Sequence, residues 1–297
     1  MWRVEDGKQV ATMDARDVQC FAVSQDGRWI AAGTGHGDII VWDAETREQG
    51  FKYDDDHHHT VRSLHFSPDS TRLLSASSSA TVSIWDVATH ERVQTLRHDE
   101  SAWMIAAKYS PQGDRIATAT PDAIRVWDSN DGRLLLDIKL NVLGSFNSCL
   151  LWHNNHLLAT SSDSKIKEFE ASTGSAVSEW PVPYSNAFSC IARPKGGTSI
   201  AYSTKRTVTL WDTSTHTQLG HFQYPQDTRA IAVSPDDQFL AIGVEHGRII
   251  VNSLSHVAVS IVFGWGFAYE HLSFSASHRI QYLCLVYTPH STSQTFK

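Results

Sequence analysis

The 297-residue chain has no C-x-x-C pair, no N-x-S/T sequon and no apolar run longer than the 13 residues of "VAVSIVFGWGFAY" (257–269). Its four cysteines (Cys20, Cys149, Cys190 and Cys284) are widely spaced. That spacing fits reduced core thiols better than disulfides or a zinc site. The apolar run falls short of the roughly 20 residues that a membrane-spanning helix needs, so it reads as a buried strand pair, and no membrane is expected as partner. Acidic residues by position 5, with no apolar core before or after them, argue against a secretory signal and for a cytoplasmic or nuclear chain. Positive charge is scarce as well. Lys and Arg number 25 against 32 Asp and Glu, a net charge of -7, so no global field exists to hold a phosphate backbone and nucleic acid is not expected. Walker, G-x-S-x-G and H-E-x-x-H patterns are missing, and so is helical periodicity. The expectation is a chain without a cofactor and without catalysis.

What the chain has is a repeat. "VWDAETREQ", "IWDVATHER", "VWDSNDGRL" and "LWDTSTHTQ" each place an apolar residue, Trp and Asp before a polar turn, at Trp42–Asp43, Trp85–Asp86, Trp127–Asp128 and Trp211–Asp212. Worn copies put Phe169 ("EFEASTGSA") and Val251 ("IVNSLSHVA") in the tryptophan slot, and Trp2 of "MWRVEDGKQ" fits as a first copy. The steps are then 40, 43, 42, 42, 42 and 40 residues. A second marker keeps the same phase: "VSQDGRWIAAG", "FSPDSTRLLSAS", "YSPQGDRIATAT" and their counterparts join two apolar runs through Pro, Asp, Asn and Gly, residues that preset turn dihedrals. Each unit reads as four short strands. A lone four-stranded sheet cannot bury both faces, so units of this period stack on one another.

These dipeptides and their spacing resemble the WD-repeat β-propeller family over nearly the whole length. The resemblance implies an all-β fold: a single domain over 1–297, a seven-bladed propeller of four-stranded antiparallel blades. The last, degenerate blade (about 268–297) is expected to be closed by an N-terminal strand at 8–14, "KQVATMD". The tail "STSQTFK" is expected in the third-strand place of that blade, with Trp2 folded over its edge. Blades of the family often carry a hydrogen-bonded chain from a histidine through Ser/Thr and an Asp to the motif tryptophan. Six residues before each tryptophan slot stand His36, Ser79, Pro121, Asp163, Lys205 and Glu245, so only Asp163 fits, while His57 and His98 fill the histidine place and Asp122 lies one position off.

Several stretches carry chemistry-bearing residues without the spacing that chemistry needs. "DDDHHH" (Asp54 to His59) holds six metal-ligand types in a row, which rarely converge on one ion, so it reads as a solvated loop and no metal is expected. "GTGHGD" (33–38) leads into a strand rather than a helix, and "GVEHG" (243–247) repeats it, so both are strand-to-strand turns. Cys149 and Cys190 are expected in equivalent inward places beside Phe21, Leu64, Ala107 and Ile231. The family's binding end then displays Trp103, Phe146, Tyr184 and Tyr224. Arg62, Arg229, Gln19, Asn147 and Phe188 lie two residues deeper, at the channel mouth. Aromatics and arginines are the types that anchor protein interfaces. The expected function is a non-catalytic scaffold or adaptor that presents this face to a protein or peptide, as a monomer or as a subunit of a larger complex. The alternatives are a sensor or regulatory module of a larger multidomain signalling protein, suggested by a start in mid-blade and an end without a closing motif, and, third, a hydrolase on a propeller scaffold.

Overall fold

The computed structural model describes residues 1–3, 10–54, 59–98, 103–142, 149–182, 188–192, 199–215, 217–234, 238–244, 248–254, 260–264, 269–277 and 280–287. Six four-stranded antiparallel sheets follow one another along the chain, each meandering from first strand to fourth. The first strands are Val18–Val23, Val61–Phe66, Ala106–Tyr109, Leu150–His153, Phe188–Ala192 and Thr228–Val233. The fourth strands are Gln49–Asp54, Arg92–Arg97, Leu134–Lys139, Ala176–Pro181, Thr217–Gln223 and Ser260–Gly264.

The strand sequences show why the sheets take this order. Second strands such as Arg72–Ser77 ("RLLSAS") are buried from their second residue onward, as befits a strand covered on both faces. Fourth strands such as Arg92–Arg97 ("RVQTLR") are largely exposed and keep one buried apolar anchor, here Leu96. Hydrophobic clusters form between sheets rather than within them: Cys20, Ile39, Val41 and Tyr53 of blade one pack with Val61, Leu64, Leu73 and Trp85 of blade two. Tyr53 lies 4.6 Å from the Trp85 ring and donates to the Asp86 carbonyl at 3.2 Å. Leu73, Leu74 and Ile84 have no exposed surface. Burial of each such side chain contributes about 1.5–3 kcal/mol, against about 1 kcal/mol net for one hydrogen bond, so apolar packing dominates the joints between blades.

The aspartate after each tryptophan builds the next turn. Asp43 Oδ1 accepts the Glu45 and Thr46 amides (2.9 and 3.0 Å), Asp86 those of Ala88 and Thr89 (both 2.9 Å), and Asp212 those of Ser214 and Thr215 (2.8 and 3.1 Å). These amides hold the Asp43 and Asp86 carboxyls below the usual carboxylate range. Four residues after the aspartate, the chain turns left-handed and its amide returns to the aspartate carbonyl: Arg47 (φ 65°), His90 (φ 61°) and Gly132 (φ 71°). The turn between first and second strands is equally regular. Its serine oxygen accepts the amide five residues on, at 2.8 Å for Ser24–Trp29, 2.9 Å for Ser67–Arg72 and 3.1 Å for Ser110–Arg115.

The expectation of seven four-stranded blades is corrected: the propeller has six. The remaining strands form a three-stranded sheet in which Trp2–Arg3 pairs with Ile280–Tyr287, and Ile280–Tyr287 with Tyr269–Ser277. That sheet packs through Tyr269–Ser277 against the first strands of blades six and one. The outer strand expected at 8–14 is not formed over its described part, 10–14. The backbone there is engaged by the chain start instead, with the Met1 ammonium donating to the Ala11 carbonyl at 2.8 Å and the Val10 amide to the Met1 carbonyl at 2.9 Å. Met1 and Met13 pack on the Val18, Phe21 and Trp42 cluster of blade one, which draws this segment onto that blade. Trp2, rather than the tail, takes the place beside Ile280–Tyr287, opposite Leu283, and residues 288–297 lie outside the described part.

Candidate functional site at the channel mouth

At the entry to several first strands, the ladder to the second strand slips by one residue. The slips fall between Val18 and Cys20, Val61 and Ser63, Phe188 and Cys190, Thr228 and Ala230, and Tyr269 and His271. Each is a bulge, whose extra residue leaves the ladder. The extra residues are Gln19, Arg62, Ser189, Arg229 and Glu270. Ala106–Tyr109 and Leu150–His153 pair without a slip. Because the three-stranded sheet touches blades six and one, the five bulged strands are consecutive around the ring. The five slips therefore lie side by side on one arc of the mouth, and the ladders of Ala106–Tyr109 and Leu150–His153 begin past their level.

Arg229 is exposed, and its backbone carbonyl accepts the Cys190 thiol at 3.1 Å. Arg62 is half-buried and close enough to Cys20 to act on it electrostatically. Gln19 donates to Asp17 at 2.9 Å, and Arg206 pairs with Asp227 at 3.0 Å. Trp103 stands just before the third first strand and is 46% exposed, while Met104 behind it has no exposed surface and fixes the loop.

The other expected contact residues fall elsewhere. Tyr224 is buried among Cys190, Val208 and Ile242, and its hydroxyl accepts Asn252 Nδ2 at 2.7 Å, so it is a joint between blades five and six. Phe188 pairs with Thr204 in the ladder, the register held by Val18, Val61 and Thr228 in other blades. Phe146, Asn147 and Tyr184 lie outside the described residues, as do Asp55 to His58 of the acidic and histidine run.

Inside the channel wall, Cys20, Ser63, Ala106, Cys190 and Ala230 occupy one level, pairing with Gly33, Ala76, Ala119, Ser203 and Gly243. Cys149, next to Leu150, belongs to the same level. The two thiols are thus one residue away from Phe21, Leu64, Ala107 and Ile231, where they were expected. Burial pushes the Cys149 thiol up to about 12 and raises Cys20 as well, so both are neutral packing groups. Two residues along come His65 and Lys108. His65 Nδ1 accepts the Tyr109 amide at 3.2 Å; burial, helped by nearby Lys108, lowers its pKa to about 3. Lys108 keeps some exposed area along its stem, but its ammonium is enclosed, and burial draws its pKa down to about 8.

The hydrogen-bonded chain that the resemblance implies is present in one described blade, in altered form. Trp127 Nε1 donates to Thr118 Oγ1 at 2.8 Å, and His98 Nε2 lies 3.0 Å from the same oxygen. Arg125 reaches His98 Nδ1 at 3.1 Å, so Nδ1 accepts and Nε2 carries the proton. Asp122 instead accepts Thr120 Oγ1 at 2.7 Å, and Asp163 pairs with Lys167 at 2.9 Å. In blade two Trp85 Nε1 donates to Ser75 Oγ at 2.9 Å, and His57 lies outside the described residues. The Trp211 indole nitrogen is buried with no hydrogen-bond partner among the described residues. Blade four replaces the tryptophan system with buried Glu168, which meets His156 Nδ1 at 2.7 Å, while His156 Nε2 lies 3.1 Å from Glu170. Among the described residues, no group of three or more His, Cys, Asp and Glu side chains is placed to hold a metal ion, and no helix is long and apolar enough to cross a membrane.

Repeating four-stranded blades, Trp-Asp turns and a central channel define a WD-repeat β-propeller. The chain belongs to the family described as Nucleolar protein 10-like, N-terminal domain, which matches residues 7–169, more than half of the 297. Its fold is similar to the crystal structure of the β-propeller domain of Myceliophteria thermophila Cps50 (Swd1), with a TM-score of 0.79 and 16% identity over 92% of this chain and 98% of that one. At that identity the likeness concerns the fold alone. No curated protein matches the chain in sequence.

Proposed function

We propose that the protein is a non-catalytic interaction platform, a single propeller domain that holds a protein or peptide partner over the bulged side of the channel mouth. The observation that carries this reading is the run of consecutive bulges, which takes Arg62 and Arg229 out of their ladders, with exposed Trp103 at the entry to the first strand that follows the blade of Arg62. Bulges recur where a strand must re-aim a side chain for function, and Trp and Arg are the side chains most often found at the energetic centre of interfaces. Of the remaining expected contacts, Tyr224 is given up; Phe146, Tyr184 and Phe188 stay candidates from sequence. The family name supports a nuclear, specifically nucleolar, setting.

The test is affinity capture from nuclear extract with the intact chain beside Trp103→Ala and Arg229→Glu. Both variants should lose the main partner while melting as the parent does, since neither side chain is buried. Undiminished capture by both would remove the mouth from consideration.

A further inference from the structure

At the opposite end of the ring, a cleft of about 510 Å3 opens between blades two and three. Its walls are the turn 67–72 of blade two, and Gln112 and Asn130 from two turns of blade three, with Tyr109 at its base. The next joint shows how this place is closed elsewhere. There Arg115, first residue of its second strand, donates from a terminal guanidinium nitrogen to the Ala171 carbonyl at 2.7 Å, and Trp152 Nε1 donates to the Lys108 carbonyl at 3.2 Å.

Between blades two and three, both closures are missing. Arg72 occupies the place of Arg115, yet its guanidinium makes no hydrogen bond or ion pair within distance limits among the described residues and lines the cleft instead. Tyr109 occupies the place of Trp152; it is 3% exposed, and its hydroxyl has no hydrogen-bond partner. A buried hydroxyl without a partner is unfavourable unless something supplies one. Two acids stand near these groups, Asp86 within electrostatic reach of Arg72 and Asp69 of Tyr109, and each is engaged in its own turn through Oδ1. Asp69 Oδ1 accepts Ser67 Oγ, the Thr71 amide and Thr71 Oγ1 at 2.5, 3.1 and 2.9 Å, and Asp86 Oδ1 accepts two amides of its own turn. The guanidinium and the phenol are the two donors left over.

We propose that this cleft is a second binding site, which takes the carboxylate side chain of an acidic peptide segment between the Arg72 guanidinium and the Tyr109 hydroxyl. The volume lies within the roughly 300–1,000 Å3 of small-ligand clefts and exceeds what one ion fills. Gln112 and Asn130 at the rim offer amide groups to the peptide backbone. A single guanidinium matches a single carboxylate, whereas a polyanion such as nucleic acid would meet a chain of net charge -7.

The full chain, isotope-labelled at tyrosine Cζ, tests this by NMR, with the Tyr109 signal assigned from Tyr109→Phe. The probe is acetyl-Gly-Glu-Gly-amide, compared with its Gln and Lys counterparts and with inorganic phosphate. The Tyr109 signal should move saturably with the Glu peptide. Affinity should fall about tenfold or more with the Gln peptide and with Arg72→Gln, and the Lys peptide should have no effect. Should Arg72→Gln fail to fold, Tyr109→Phe carries the same expectation, read as reduced broadening of the peptide's own signals; Phe66 shows that phenylalanine fits this place in blade two. A Tyr109 signal unmoved at about 10 mM peptide, a shift that survives Arg72→Gln, or peptide broadening undiminished in Tyr109→Phe overturns the proposal. Tighter binding of phosphate than of the Glu peptide also overturns it, because the cleft would then be a simple anion site.

Discussion

Thr118 has no exposed surface, and its single hydroxyl serves two buried donors, Trp127 Nε1 at 2.8 Å and His98 Nε2 at 3.0 Å. Thr118→Val keeps the shape of the side chain and removes the acceptor. Both N–H groups would then be buried without a partner, and each such group costs about 1–3 kcal/mol. Some relaxation of the ring of His98, which also holds Arg125 at 3.1 Å, lowers the sum. The expected loss is about 2–5 kcal/mol, or about 4–10 °C in melting temperature for a domain of this size.

The matched control is Ser75→Ala in blade two, where the hydroxyl serves one donor, Trp85 Nε1 at 2.9 Å. Its loss should be about half as large, roughly 1–2 kcal/mol. Thermal and urea melts of the two variants beside the parent measure the ratio, and an unchanged urea m-value shows that the unfolded states are comparable. If Thr118→Val melts within about 1 °C of the parent, or if Ser75→Ala costs as much, the shared-acceptor account of blade three is wrong.

Two further substitutions probe the turns and the channel. Arg47 is exposed at φ 65°, and Gly132 holds the same turn position in blade three, so Arg47→Gly should stabilise by about 0.5–1 kcal/mol in a urea melt; destabilisation would mean that the arginine stem packs more than its exposure shows. His65 has a pKa lowered from 6.5 to about 3 in the fold, so the unfolded chain takes up a proton that the folded chain refuses. Its contribution is complete above pH 6.5 and is lost as pH falls toward 3. His65→Leu, which copies Leu151 in blade four, should flatten the decline of stability over that window, and an unchanged slope would place the acid sensitivity in other groups.

The repeat, the four-strand unit and the motif positions were all legible, because period and turn chemistry are local properties of the sequence. Places counted from the tryptophan were less secure, because the turn between first and second strands varies in length. Phe66 reaches Arg72 through five residues, 67–71, whereas His153 reaches His156 through Asn154 and Asn155 alone. A count that is right in blade two is therefore wrong in blade four, and one residue is enough to move Cys149 to a different level. The bulges add the same uncertainty at the other end of the strand, where a one-residue slip moves a side chain to the opposite face. The last blade failed for another reason. Nothing local in "KQVATMD" distinguishes a fourth strand from a segment that folds back on Met1, and the choice is made by Met1 and Met13 finding the apolar face of blade one.

Comparison of the blades with one another separates scaffold from site. Where a position is filled alike in several repeats, as with the aspartates of blades one, two, three and five that accept two turn amides, the shared geometry accounts for it. Arg72 and Arg115 are the same residue at the same place in adjacent blades, yet one ties its joint shut at 2.7 Å and the other leaves a cleft with an unpartnered phenol beneath it. Folding does not require that difference, because the closed version is available one blade away and adds a hydrogen bond. At the mouth, slips recur in five of the described first strands and place Arg62 and Arg229 outside the ladder, whereas Ala106–Tyr109 and Leu150–His153 are four-residue strands whose ladders begin past that level. The joint between blades two and three thus departs from one that the chain itself shows to be feasible, and the departure leaves Arg72 lining a cleft rather than tied to the next blade.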